Sequence, residues 1–194
     1  MTQELQVTSE LQTAIISVVG TLAGTALGWF LNNLSQRGKL RIYVSAFKEV
    51  FQYNNMGRMA QSSSIEQTDY YGYKLTLDLY NASGTPKIMR NLTVVFSDGK
   101  HDLFKSIPKD DETRRSSGPA FFYDDVGPIN IPPKRIIQLS LHSGAHKRDG
   151  GLDFIWKTKK VYLTYTNEKN KLVKVNINST VYSNYFETHT QEGK

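Results

Sequence analysis

Two histidines four residues apart, in "HSGAH" at residues 142–146, are the first place to look for chemistry. On an α-helix His142 and His146 would share one face and suit a shared metal ion. Here they follow a strand-like run and enclose Ser143-Gly144, so the segment reads as a loop that brings nothing together. His101 and His189 stand apart from them and from each other. Asp110, Asp111, Glu112, Asp124 and Asp125 flank a long loop, but their spacing matches no calcium-binding loop. No glycine-rich phosphate loop joins a strand to a helix, and no nucleophile is spaced with a base in a catalytic pattern. The chain has no cysteine, which excludes disulfides and thiolate metal sites. No catalysis, cofactor or metal is expected.

What remains for recognition is cations and aromatics. Lys157, Lys159, Lys160, Lys169, Lys171 and Lys174 gather about the last predicted hairpin, with Tyr162, Tyr165, Tyr182 and Tyr185 nearby for stacking. Tyrosine is also an ordinary strand residue and a basic face is ordinarily solvated, so nucleic acid is not an expected partner. The stretch "SSGPAFFYDDVGP" is the best interaction candidate. Phe121, Phe122 and Tyr123 are adjacent, bracketed by Gly118-Pro119 and Gly127-Pro128. Either this loop packs over an open end of the domain, or it shows an aromatic surface to a protein partner. Arg114 and Arg115 just before it favour the second reading, because arginine and aromatic anchors dominate interfaces.

The elements that position these residues begin with an apolar span. No residue between Glu10 and Arg37 is charged, and the apolar core runs from Thr13 to Leu31. That is close to the ~20 residues needed to cross ~30 Å of hydrocarbon. A secretory signal would need a basic start, and this one is acidic. A soluble amphipathic helix would need charged or strongly polar residues on its outer face, and none is present. A transmembrane helix over residues 11–34 is therefore expected, after a short acidic tail at 1–10. All 24 Lys and Arg lie beyond residue 36, with Arg37, Lys39, Arg41 and Lys48 closest to the span. The positive-inside rule then places the N-terminus outside and the C-terminal domain in the cytoplasm. Those four cations are the expected contacts with anionic lipid. The sequons at Asn81, Asn91 and Asn178 are read as chance patterns.

Within the span, "GTLAGTALG" sets Gly20, Gly24 and Gly28 in a four-residue register. With Thr13, Ser17, Thr21, Thr25 and Asn32 they fall in one ~140° arc, opposite Val18, Val19, Leu22, Trp29 and Phe30. Small residues at that spacing let two helix backbones approach closely. Ser17, Gly20, Thr21, Gly24, Thr25 and Gly28 are accordingly the expected packing face of a dimer or small homo-oligomer, unless the helix is a simple anchor.

After a linker at 35–39, β-branched and aromatic alternation dominates. "YKLTLDLYNASG" turns Leu75, Leu77 and Leu79 one way and Lys74, Thr76, Asp78 and Tyr80 the other. "IMRNLTVVFSDGK" and "HDLFKSI" read as a hairpin through an Asp-Gly turn. "INIPPKRIIQLSL" gives a Pro-Pro break and a strand, and "KKVYLTYTNEKNKLVKVNI" a final hairpin. Seven or eight strands and no convincing helix predict an antiparallel β-sandwich over residues 40–186, with a flexible tail at 187–194. This order of strands and turns resembles immunoglobulin-like or fibronectin type III-like domains, without the Trp–Cys–Cys core of antibody domains. One span followed by a β-domain also resembles many small bacterial or prophage-encoded membrane proteins. The expected function is a single-pass membrane protein whose cytoplasmic sandwich acts as an adaptor or sensor. The alternative is an oligomeric effector whose glycine-lined helices perturb or permeate the bilayer.

Overall fold

A computed structural model of the chain describes residues 2–64 and 66–177. Tyr182, Tyr185, His189, Asn178, the sandwich boundary expected at 186 and the tail at 187–194 lie outside the described residues.

Helix α1 spans Thr2–Gln36 and so takes in the segment read as a tail. Its bulky side chains, among them Ile15, Val18, Leu22, Trp29 and Phe30, are exposed. The hydroxyls of Thr21 and Thr25 donate back to the carbonyls of Ser17 and Thr21 at 2.9 and 2.8 Å. That satisfies polar groups which an apolar setting would otherwise penalise. The helix stops at a double cap. The Arg37 amide donates to Leu34 O at 3.2 Å, and the Gly84 amide, from a distant loop, donates to Ser35 O at 3.1 Å. Only residues 37–39 separate the helix from the first strand.

The described residues beyond it are mainly strand: β1 (Leu40–Asn55), β2 (Arg58–Gln61), β3 (Tyr70–Asn81), β4 (Lys87–Ser97), β5 (Asp102–Ser106), β6 (Lys109–Asp110), β7 (Arg115–Ser117), β8 (Ala120–Phe122), β9 (Ile129–Ile131), β10 (Ile136–His146), β11 (Lys160–Thr166) and β12 (Leu172–Ile177). One sheet has the order β2-β1-β3-β10-β6, and the other β12-β11-β4-β5 with β9 added to β4. Every pairing is antiparallel. Leu75, Leu77 and Leu79 of β3 are fully buried, as the alternation requires, and share one core with Val94, Phe96, Leu141 and Leu163. Each such side chain stabilises the fold by about 1.5–3 kcal/mol.

Three departures from the sequence reading have local causes. Strand β1 does not alternate throughout its 16 residues: a bulge between Val44 and Ala46 shifts its inward face from Ile42 and Val44 to Phe47, Glu49 and Phe51. The shift breaks the period-2 pattern that marks a strand. "HSGAH" is no loop: it ends β10, where Gly144 pairs with Gly72 of β3. The Tyr70 ring lies over both glycines, and a Cβ on Gly72 would stand 2.9 Å from it. Glycine here marks a close approach rather than a turn. A short helix, α2 (Asp153–Lys157), closes the end of the sandwich far from α1, with Phe154 and Ile155 buried. A single turn is too short to display a 3.6-residue period.

The far end also holds an aromatic cluster. Phe104 and Phe154 stack with centroids 4.3 Å apart, and Phe96 sits 5.3 Å from Phe154. Beside it the Tyr73 hydroxyl is bonded to Ser106 at 3.2 Å, and Ser106 to Ser143 at 2.6 Å, so a polar chain ties β3, β5 and β10 together. Burial pushes the Tyr73 hydroxyl up to about 12. It therefore stays a neutral donor.

Candidate functional site

The residues singled out for metal chemistry are separated. In β10, His142 and His146 share a face but stand about 13 Å apart along the strand. His142 is bonded through Nδ1 to Asp111. The His146 ring instead packs against Tyr70, centroids 4.7 Å apart. The acids are likewise distributed: Arg115 pairs with Asp124, Lys109 with Asp125 at 3.2 Å, and Asp110 caps a 3-10 turn through the Glu112 amide. Among the described residues no group of three or more His, Asp or Glu is placed to hold a metal ion.

These contacts build a pedestal. The Asp110 amide donates to Asp124 O at 3.0 Å and the Val126 amide to Pro108 O at 2.9 Å, tying the two legs of the long loop together. Asp111 and the edge-on Tyr123 ring, 4.4 Å from His142, fix it to the outer face of β10. From this base rises a two-stranded ribbon, β7–β8, turning at Gly118-Pro119. Gly118, with φ +60°, takes the first central position of the two-residue turn, where glycine is favoured. Successive ribbon side chains point to opposite sides, and neither side is covered. Phe121 and Phe122 are thus 54% and 52% exposed. The Arg114 guanidinium lies over the Phe121 ring, 3.9 Å from its centroid. Of the expected partner-surface residues, Arg114, Arg115, Phe121 and Phe122 come together on the ribbon, while Tyr123 belongs to its footing.

The basic residues divide by the end of the sandwich they occupy. Lys157 and Lys159 sit at the far end before β11 and Lys160 opens it, whereas Lys169 and Lys171 lie in the β11–β12 turn at the α1 end. The expected cluster is therefore split across the length of β11. Its aromatics are engaged: Tyr165 is buried, and Tyr162 donates to Asp102 under the Lys174 ammonium. Of the four cations assigned to lipid, Arg37, Lys39 and Arg41 stand at the helix exit. Lys48 lies eight residues along β1 from Leu40, roughly 26 Å away, and opposite Lys74. The sequence reading missed Lys134, Arg135 and Lys87, which the strand order returns to the helix end. Lys134 donates to Ala82 O at 2.7 Å. No local pattern marks them, because their return to the helix end depends on pairings between distant strands.

The junction itself is organised by Asn81. Fully buried, its Nδ2 donates to Thr85 O at 2.8 Å, Ile131 O at 3.0 Å and Pro132 O at 3.1 Å, while Oδ1 accepts from the Ser83 amide at 2.9 Å. This knot shapes the loop that caps Ser35 through Gly84 and that presses on Gly38, where a Cβ would run into the Ala82 carbonyl. The same burial leaves no room for a glycan on Asn81.

Two antiparallel sheets on one core, behind one apolar helix, define an immunoglobulin-like sandwich with an N-terminal apolar segment. The segment Gln12–Gln36 has 25 residues, long and apolar enough to cross a membrane. Residues 38–178 match the YopI Ig-like domain family, and the chain belongs to that family. It is 22% identical over 164 residues to the SPbeta prophage-derived uncharacterized protein YopI of Bacillus subtilis (strain 168), covering 81% of this chain and 90% of that one. Among solved structures, a protein from Archaeoglobus fulgidus is 10% identical with a TM-score of 0.33, covering 71% of this chain and 98% of that one. A Northeast Structural Genomics Consortium target is 14% identical with a TM-score of 0.34, covering 71% and 81%. Scores this low carry no argument about function. The family description names a domain and no reaction.

Proposed function

We propose that the chain is a single-pass membrane protein whose immunoglobulin-like sandwich is held at the cytoplasmic face and binds a protein partner, without catalysis. The observation that carries this reading is the β7–β8 ribbon: two exposed phenylalanines and Arg114 on a braced pedestal, remote from any core. A rigid base holding aromatic anchors lowers the ordering cost of binding. The test is a photo-crosslinking residue at Phe122 in the full chain, compared with one at Lys100 on the far turn. A discrete heterologous adduct from Phe122 alone is expected. Equal adduct patterns at both positions would refute the ribbon as a partner surface.

A second reading rests on the helix, where a side chain added at Gly20, Gly24 or Gly28 would meet nothing within 4 Å. That open face suits a second copy of α1, in a dimer or in a membrane-perturbing oligomer. Gly24→Leu is expected to abolish crosslinking between copies in membranes, while Val19→Leu on the opposite side preserves it. Equal crosslinking in wild type and both variants would leave α1 as a simple anchor.

A further inference from the structure

A crevice of about 660 Å³ lies where α1 meets the β11–β12 turn. Its walls carry Arg37 and Lys39 from the linker, Lys87 from β4, Lys169 from the turn, and the polar side chains of Asn33 and Gln36 from the last turn of α1. One carboxylate, Glu168, also lines it; it pairs with Lys87 at 2.7 Å and lies within the field of the neighbouring Lys169 ammonium. Among the described residues Arg37, Lys39 and Lys169 form no salt bridge. The carbonyls of the helix end, which would repel an anion, are partly occupied by the Arg37 and Gly84 amides. The crevice is thus cationic at its walls and open.

Its depth relative to the bilayer is set by the helix. The 25 residues of Gln12–Gln36 are roughly 37 Å long at 1.5 Å per residue. The hydrocarbon core takes about 30 Å of that, so the last turn emerges into the headgroup layer. The crevice opens at that level. With three residues between helix and strand, and Gly38 packed against Ala82, it has no slack to leave it.

From this geometry we propose that the crevice binds the headgroup phosphate of an anionic phospholipid in the leaflet on the C-terminal side. The proposal rests on the reading of α1 as a membrane span. Arg37 and Lys169 pair with the phosphate from two sides, Lys39 adds a third cation, and Asn33 and Gln36 supply hydrogen bonds at the helix surface. Anionic lipid chemistry fits better than neutral, because a zwitterionic headgroup brings its own cation to a site already rich in them. It also adds a second hold to the short tether, keeping the β7–β8 ribbon at a set height above the membrane.

Native mass spectrometry of the full chain in mixed micelles of phosphatidylglycerol and phosphatidylcholine tests this. The wild type is expected to retain the anionic lipid over the neutral one by about five-fold or more, the factor one cation near an anionic surface is worth. Arg37→Glu with Lys169→Glu is expected to bring that ratio to about one, whereas Lys105→Glu at the far end leaves it unchanged. Circular dichroism identical to wild type shows that the variants are folded. No preference in the wild type, or an unchanged preference in the double variant, would overturn the proposal. Displacement by millimolar sodium phosphate would overturn the lipid assignment and show a site for soluble phosphate instead. Alkaline carbonate extraction, run in parallel, separates the two levels: a chain that is extracted overturns the span and this proposal together. A chain that stays in the membrane without lipid preference overturns this proposal alone.

Discussion

Replacing Asn81 by alanine should loosen the whole helix–sandwich junction, and the cost can be worked from its hydrogen bonds. The side chain donates to Thr85 O, Ile131 O and Pro132 O and accepts from the Ser83 amide, all within 3.1 Å. Thr85 O keeps a bond from the Ser83 hydroxyl at 2.7 Å, so the groups that lose their side-chain partner are Ile131 O, Pro132 O and the Ser83 amide. Orphaning a buried polar group costs about 1–3 kcal/mol. Two or three such groups give about 3–5 kcal/mol, and a chain of this size loses about 2–4 °C of melting temperature per kcal/mol. Asn81→Ala should therefore melt about 10 °C below wild type. Asn81→Asp should be worse, because it turns a carboxylate toward the carbonyl oxygens. Thermal unfolding of the full chain followed by near-ultraviolet circular dichroism measures this. Hydrogen exchange at the Gly84 amide, which caps Ser35, should quicken in the same variants. A melt within about 2 °C of wild type, the range of a neutral surface change, would refute the junction argument.

Other perturbations follow from single groups. Burial raises the Glu49 carboxyl above its usual range, although it accepts a bond from the Tyr71 hydroxyl at 2.6 Å. The fold thus favours the protonated form, whose contribution is complete below the unfolded value of about 4.3 and is lost as pH climbs through the folded one. Glu49→Gln, which keeps an acceptor for Tyr71, should melt above wild type at pH 7 and level with it near pH 4; a constant difference across that range would rule out titration of Glu49 as the cause. Gly38→Ala should accelerate proteolysis of the linker, since its methyl collides with the Ala82 carbonyl, and unchanged cleavage would show that the contact yields freely. Phe121→Ala with Phe122→Ala should shift the melting temperature by under about 3 °C, as both rings are exposed; a fall of ten degrees or more would mean that the ribbon packs onto the sandwich.

What the sequence made legible was whatever one local pattern expresses. The apolar run, the alternation of Leu75, Leu77 and Leu79, the Asp98-Gly99 turn and the last hairpin all appear in the structure where that pattern placed them. What it hid needed two distant segments at once. The bulge in β1 interrupts the alternation of a 16-residue strand between Val44 and Ala46. Ser143-Gly144 looked like a turn because the Tyr70 ring that requires the small residues comes from another strand. The pedestal of the ribbon depends on His142 reaching Asp111, 31 positions earlier in the chain. The helix-end crevice joins Arg37 to Lys169 across the length of the domain. Lys48 was assigned to lipid by its nearness in sequence, and an extended strand carries it away faster than a loop would.

Sidedness tests the account most directly, because the cytoplasmic placement of the sandwich and its access to a partner depend on it. The chain has no cysteine, so Lys100→Cys, in the exposed turn at the far end of the sandwich, provides one unique thiol. With the variant expressed in intact cells, a membrane-impermeant maleimide reports which side of the membrane that turn occupies. The account predicts no labelling until the membrane is permeabilised, and full labelling afterwards. Labelling of intact cells to the same extent would place the sandwich outside and contradict the orientation on which the account stands.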